Sequence, residues 1–278
     1  MVGSAEALPA VAFLGAGSMG GAILRGLVDS GIAVHGDIRA VNRTEEKAAA
    51  LRSPGVLSLS YEAEDDATER ALAGAKLVVL GVKPAGIPAL LEEIAPMLDP
   101  DAVVVSIAAG VTTARMEALV PNAVVRTMPN TPSTVGRGVT GIAPGARATA
   151  SIVALVSRLF ETVGSVLVVP ESQIDALSAI SGSGPAYVYF LVERLTAAAI
   201  RLGFSETEAR VLAEGTFVGA GALLESSGED PAELRRRVTS PKGTTERAIA
   251  VLESAELAEL FERAAAAAIA RARELAAG

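Results

Sequence analysis

Along residues 11–169, short apolar runs alternate with stretches of helical period. Runs near 11–14, 38–41, 77–82, 102–107, 124–128 and 166–169 are apolar at most positions, with few polar interruptions, the pattern of strands buried on both faces. Between them, 20–29, 44–51, 87–98, 112–119 and 148–162 place apolar residues three and four apart and read as helices. Strand, helix, strand at this spacing predicts an α/β unit built on a doubly wound, mainly parallel sheet.

After Pro170 the rhythm becomes helix upon helix, with no convincing strand. Ser183 followed by Pro185 reads as a helix start, and Gly203 as the end of that helix. Ser205 with Glu208 fits a capping box, and Asp230 caps a helix opened by Pro231. A last helix is expected from about Thr245, with Ile249, Leu252, Leu260 and Phe261 on helical spacing. The predicted organisation is therefore a sheet domain over 1–169 and an all-helical domain over 170–278. These later helices are apolar on more than one face around 195–200, 215–224 and 264–269. A domain of that length supplies little interior of its own. An obligate homodimer or larger homo-oligomer with interleaved helices is the expected remedy.

Composition narrows the function. At 278 residues the chain exceeds what one hydrophobic core of ordinary size holds, which favours two domains. Half of it is hydrophobic but only 3% aromatic, so its core is aliphatic and closely packed. A net charge of -8, with no extended cluster of Lys and Arg of the kind that binds phosphates, argues against a nucleic-acid partner. No cysteine is present, and His35 is the single histidine, so thiol nucleophiles, disulfides and His or Cys metal clusters are excluded and no metal is expected. Residues 1–10 lack a basic segment followed by a long apolar run, and no window of about 18 residues is apolar enough to span a bilayer. A cytoplasmic protein is expected.

The chemistry-bearing stretches follow strand ends. Gly15, Gly17 and Gly20, with Ser18 and Met19 between the last two, form G-x-G-x-x-G after the first strand. The first glycine permits a tight turn, the second lets backbone approach a pyrophosphate, and the third lets the helix pack closely. The second strand closes with Val41-Asn42-Arg43-Thr44, where a ribose-binding acid would ordinarily stand. Neutral Asn42 followed by cationic Arg43 suits a 2′-phosphate, so NADPH is favoured over NADH. Thr44 would serve the same phosphate or cap the next helix. Val82-Lys83-Pro84, the turn 106–110 with Ala108 and Ala109, and Met128-Pro129-Asn130 lie beyond later strands and read as walls of a nicotinamide pocket. The small residues 181–186 suit either tight helix packing or close approach of a cofactor, and Tyr187 either packs or donates a hydrogen bond. Late in the chain, Ser240-Pro241-Lys242-Gly243-Thr244-Thr245-Glu246 starts a helix with free backbone N–H groups beside two hydroxyls. That is either a capped helix start or a site for a small anion such as a carboxylate.

These stretches together resemble the pyrroline-5-carboxylate reductase family over nearly the whole chain. The resemblance is carried by 15–20, Asn42-Arg43-Thr44, Val82-Lys83-Pro84, the run 126–132, 181–187 and, most specifically, 231–253. There Pro231, Leu234, Val238, Thr239, Ser240, Gly243, Thr245, Ala248, Ile249 and Leu252 match the family signature. One position departs, Lys242, where the family usually has glycine. The resemblance implies an N-terminal Rossmann domain, a helical dimerisation domain and an active site shared between subunits. It implies NAD(P)H-dependent reduction of the imine L-1-pyrroline-5-carboxylate to L-proline, the last step of proline biosynthesis. It also implies that Ser240, Gly243, Thr244 and Thr245 hold the substrate carboxylate, with the Thr245 hydroxyl toward the ring nitrogen as the catalytic group. Lys83, Pro84, Ala108 and Ala109 would line the nicotinamide pocket.

Two other classes stay open. A beta-hydroxyacid dehydrogenase shares the G-x-G-x-M-G start and a helical second domain, but relies on a lysine that 186–195 lacks. A non-catalytic NADP-binding sensor would need no anion turn.

Overall fold

The computed structural model describes residues 7–277, with side chains through Glu274. The stretch 1–10, read above for a leader, lies mostly outside the described residues. Two compact units are present: residues up to Gly182 together with those from Ile269 onward, and Ser183–Ala268.

The first unit runs β1 (Leu8–Leu14), α1 (Ser18–Asp29), β2 (Val34–Asn42), α2 (Glu45–Ala49), β3 (Val56–Ser60), α3 (Ala67–Leu72), β4 (Leu77–Leu80), α4 (Ile87–Ile94) and β5 (Val103–Ser106). It continues through α5 (Thr113–Glu117), β6 (Ala123–Met128), β7 (Gly138–Pro144), α6 (Ala150–Glu161), β8 (Gly164–Val168) and α7 (Ile174–Leu177). The eight strands form one sheet in the order β3-β2-β1-β4-β5-β6-β7-β8. All neighbours are parallel except β6 and β7. The first six strands thus have the doubly wound Rossmann order, and the turn-back at β7 adds an antiparallel pair at one edge.

Strand residues alternate between two cores. Val11, Phe13, Leu77, Val79, Val103 and Val105 pack with Ile23, Leu24 and Leu27 of α1 and with Val156, Leu159 and Phe160 of α6. Their neighbours Ala12, Leu14, Val78, Leu80 and Val104 pack with Ala71, Leu72, Ile87, Leu91 and Met116 of α3, α4 and α5. Covering both faces explains the mostly apolar runs.

The pattern overlooks β3, β7 and α3. In β3, Ser58 and Ser60 interrupt the apolar run, yet both are buried, Ser60 by donating to Glu45 Oε2 at 2.9 Å. In β7, glycines dilute the signal because the backbone is crowded: a Cβ on Gly138 would lie 2.1 Å from Ser133 Oγ, and one on Gly141 2.5 Å from Leu177 Cδ1.

The second unit holds α8 (Gly184–Arg201), α9 (Glu206–Ser227), α10 (Pro231–Arg237), α11 (Thr244–Glu253) and the start of α12 (Leu257–Ala277). Ser183 occupies the cap position of α8 without a side-chain capping bond. Helix α8 ends as expected at Gly203, φ 102°, where the Phe204 N–H reaches the Ala199 carbonyl at 3.3 Å and the Gly203 N–H the Ile200 carbonyl at 3.0 Å. This paired closure uses glycine because an L side chain disfavours that φ. Ser205 and Glu208 form the predicted capping box, and Asp230 caps α10. The single last helix expected from Thr245 is instead two. Glu256, at φ 50°, breaks it with neither glycine nor proline to signal the break. The unit's buried residues are three alanines, Ala199, Ala209 and Ala213, while Phe190, Val218, Leu223 and Phe261 stand open in the single chain. Among the described residues, no helix is long and apolar enough to cross a membrane.

The capping box makes a pH-dependent prediction. The Ser205 hydroxyl, then its backbone N–H, hold the Glu208 carboxyl below its ordinary pKa. A depressed pKa contributes stability above the unfolded value, and that contribution is lost as pH falls through the folded one. Ser205→Ala is expected to lower the thermal midpoint by a few degrees at neutral pH, with the gap to the parent closing in acid below the ordinary glutamate range; scanning calorimetry across pH checks it.

Candidate active site

At the carboxyl edge of the sheet, β1 turns into α1 over Gly15-Ala16-Gly17. Gly15 has φ 87°, a left-handed conformation suited to glycine. The Gly17 N–H returns to the Gly15 carbonyl at 2.8 Å, and the Gly21 N–H makes the first helical bond to Gly17 at 2.7 Å. A Cβ on Gly20 would lie 3.2 Å from Gly15 O, so helix and turn touch there, whereas one on Gly17 would meet nothing within 4 Å. Helix α1 has no side-chain cap and no acid in its first turn. The N–H groups of Ser18, Met19 and Gly20 therefore stand at a helix start built to take a negative group from outside the protein.

Next along this edge, β2 ends at Asn42, 3% exposed, whose Nδ2 has no hydrogen-bond partner. A buried amide without a partner costs stability unless a ligand satisfies it. Arg43 is exposed, and its side chain makes no bond among the described residues. Thr44 caps α2, accepting from the Lys47 N–H at 3.4 Å, so its capping role is real and its own hydroxyl proton remains available. An open glycine, an uncapped helix start, an orphaned amide and an unpaired cation together fit a dinucleotide with a 2′-phosphate.

On the other side of β1, a Cβ on Gly81 would lie 2.3 Å from Gly15 O. Val82 is half-buried, and Lys83 and Pro84 are exposed beyond β4. After β5, the Ala108 N–H donates to buried Ser106 Oγ at 3.2 Å, and Ala109 is exposed. Pro84, Ala85, Ala109, Gly110, Arg126 and Met128 are among the walls of a cavity of about 390 Å³. Of the pocket-wall residues named from sequence, Pro84, Ala109 and Met128 line this cavity, while Val82, Lys83, Ala108 and Asn130 do not. Asn130 is 7% exposed and uses both ends of its amide on protein, Oδ1 accepting from Val139 N–H at 2.8 Å and Nδ2 donating to the Ser181 carbonyl at 2.9 Å. It braces the wall.

Arg126, for which the sequence suggests no individual role, is 5% exposed in that wall. Its guanidinium meets Glu171 at 3.3 Å and Asp175 at 3.4 Å, and Glu171 also accepts from the Thr113 N–H at 2.8 Å and hydroxyl at 2.7 Å. This network pins the segment after β8 to β6 and α5. An arginine inside an otherwise apolar strand was the only signal for it.

In the helical unit, Ser240–Glu246 makes the expected tight turn into α11. The Gly243 N–H donates to the Ser240 carbonyl at 2.9 Å, and a Cβ on Gly243 would lie equally close to that oxygen, at 2.9 Å, so glycine is required there. Gly243 caps α11 with no side-chain bond, leaving the first-turn N–H groups of Thr244, Thr245 and Glu246 without intrahelical acceptors. Thr244 is exposed, and Thr245 half-buried. Lys242 holds φ 60°, and its N–H donates to Glu246 Oε2 at 2.8 Å, a clasp that keeps a side chain where glycine is easier.

The comparisons with known proteins agree along the whole chain. A family model described as pyrroline-5-carboxylate reductase dimerisation matches residues 171–275, and one described as NADP oxidoreductase, coenzyme F420-dependent, matches residues 10–110. Pyrroline-5-carboxylate reductase of Pseudomonas aeruginosa is 40% identical over 271 residues, covering 96% of this chain and 97% of that one. The chain belongs to the pyrroline-5-carboxylate reductase family. Among solved structures, the reductase of Coxiella burnetii is 36% identical with a TM-score of 0.88, covering 95% of this chain and 97% of that one. The pyrroline carboxylate reductase of Plasmodium falciparum, solved with NADP bound, is 25% identical with a TM-score of 0.78, covering 96% and 97%.

Two substitutions follow from the turn geometries. Gly81→Ala forces a methyl group into the Gly15 carbonyl and should destabilise the sheet unit by about 1–3 kcal/mol while weakening dinucleotide binding, read together by urea unfolding and cofactor titration. Lys242→Gly relieves the left-handed residue and should raise stability by about 1 kcal/mol, checked by the unfolding midpoint.

Proposed function

We propose that this protein reduces L-1-pyrroline-5-carboxylate to L-proline, using NADPH and also accepting NADH, as the last step of proline biosynthesis in the cytoplasm. What carries the reading is that one chain, alike end to end to named reductases, combines an uncapped dinucleotide turn at Gly15–Gly20 with an uncapped anion turn at Gly243–Thr245. Residues 1–169 form the cofactor domain and 170–278 the helical dimerisation and substrate-binding domain. The active protein is a homodimer or larger homo-oligomer, which covers the apolar side chains left open in the single helical unit.

In this reading Gly15, Gly17, Ser18, Met19 and Gly20 hold the pyrophosphate, and Asn42, Arg43 and Thr44 the 2′-phosphorylated ribose. Val82, Lys83, Pro84, Ala108, Ala109 and the Asn130-braced turn wall the nicotinamide. The bound cofactor supplies a hydride. The backbone N–H groups of Gly243, Thr244 and Thr245, with Ser240, hold the substrate carboxylate, fixing the position of the ring. The Thr245 hydroxyl donates toward the ring nitrogen, which gains a proton as the imine carbon is reduced. Holding the two reactants in register accounts for most of the acceleration, so the chemistry requires neither a histidine nor a metal. A beta-hydroxyacid dehydrogenase would need a lysine in α8, and Gly184–Arg201 contains none.

Oxidation of NADPH on adding the cyclic imine, and not on adding a panel of hydroxy acids, is the expected result; the reverse would discard the reading. In the same assay Thr245→Ala should cost about 1–3 kcal/mol in kcat/KM, the scale of a hydrogen bond to a charged group. An unchanged kcat/KM would remove Thr245 from that role.

A further inference from the structure

No acid stands at the end of β2, where a ribose 2′-hydroxyl would ordinarily find its acceptor. The fold brings one from another strand. Glu62, in the loop after β3, places Oε2 3.0 Å from the Glu45 N–H, two residues beyond Arg43. Of the other acids near this edge, Glu45 and Glu64 are neutralised, whereas Glu46 and Asp65 are exposed to solvent. Glu45 is held by Arg52 at 2.6 and 3.0 Å and by the Ser60 hydroxyl at 2.9 Å, and Glu64 is paired with Arg70. Glu62 has no cationic partner among the described residues, just as Arg43 has no anionic one. The loop holding Glu62 is tied to this strand end by the Tyr61 N–H, which donates to the Asn42 carbonyl at 3.1 Å.

We infer that Glu62 is a specificity-determining residue that opposes Arg43, accepting from the ribose 2′-hydroxyl of NADH and repelling the 2′-phosphate of NADPH. This rests on the reading of Asn42-Arg43-Thr44 as the ribose end of the cofactor site. A phosphate drawn in by Arg43 and Thr44 meets a carboxylate with no cationic side chain paired to it, and finds the Glu45 N–H already taken. A free hydroxyl meets an acceptor. The chain thereby carries both determinants at once, the cation from β2 and the acid from β3, and neither cofactor is excluded.

Direct binding tests this without turnover, by fluorescence titration of NADPH and of NADH into the full-length protein. In Glu62→Gln and Glu62→Ala, the Kd for NADPH should fall roughly three- to tenfold while that for NADH stays level or rises, the scale of one surface charge. Arg43→Ala, titrated alongside, should move the ratio of the two constants the opposite way. If Arg43→Ala moves the ratio and both Glu62 variants leave it within about twofold of the parent, the role given to Glu62 is wrong and the ribose site stands. If none of the three variants moves the ratio, this edge is not the ribose end, and the inference falls with it.

Discussion

The sheet unit depends on one backbone contact. The carbonyl of Gly15 passes so near Gly81 that a methyl group there would come within 2.3 Å of it. Strands β1 and β4 lie side by side at the centre of the sheet, and both must leave it at the same edge. Gly81 N–H bonds to the Leu14 carbonyl at 2.8 Å and Gly15 N–H to the Val41 carbonyl at 2.9 Å, so three strand ends are knotted within a few ångströms. Glycine at both positions lets the β1–α1 turn lie flat against β4. That flat turn leaves the first N–H groups of α1 without a protein partner. Every other part of the cofactor edge is placed outward from this point, Asn42 and Arg43 to one side, the β4 and β5 turns to the other.

The chemistry of this edge is one of placement. The one histidine, His35, is exposed at the opposite end of β2 from the ligand edge, and no cysteine exists. The buried charged groups of the pocket wall are committed to holding structure. Arg126 is spent on Glu171 and Asp175, and Glu171 is spent again on Thr113. An arrangement of this kind suits a reaction that gains most from bringing two bound molecules together and little from a titrating side chain. The substrate turn follows the same economy, because its proposed donors are main-chain N–H groups and hydroxyls that carry no charge to tune.

Much of the fold was legible because strands buried on both faces write mostly apolar runs. β1, β4, β5 and β6 all lie where those runs stand. β3 was hidden because Ser58 and Ser60 are buried polar residues whose burial depends on neighbours distant in sequence. β7 was hidden because its glycines answer to Ser133 and Leu177 across the fold. The break before α12 left no mark, since Glu256 adopts a left-handed backbone without the residue type that usually announces it. Of the candidate site, the glycine turn and the Gly243–Thr245 turn were readable from local chemistry, because glycine spacing and helix starts are local properties. The bracing of Asn130 was not readable, because its side chain bonds Val139 and Ser181, nine and fifty-one residues away.

By itself, the amino-acid sequence determined the alternation of strand and helix, the glycines that let the backbone turn, the polar turn opening α11 and the want of any histidine or thiol chemistry, since each depends on residue type at short range. Only the tertiary structure decided which charges are spent and which are left over. Arg52 and Arg70 neutralise Glu45 and Glu64, Asn42 keeps a buried amide without a partner, and Glu62 arrives from β3 at the end of β2. Charge pairing depends on distance in space, and residues that lie close together in the fold can be far apart along the chain.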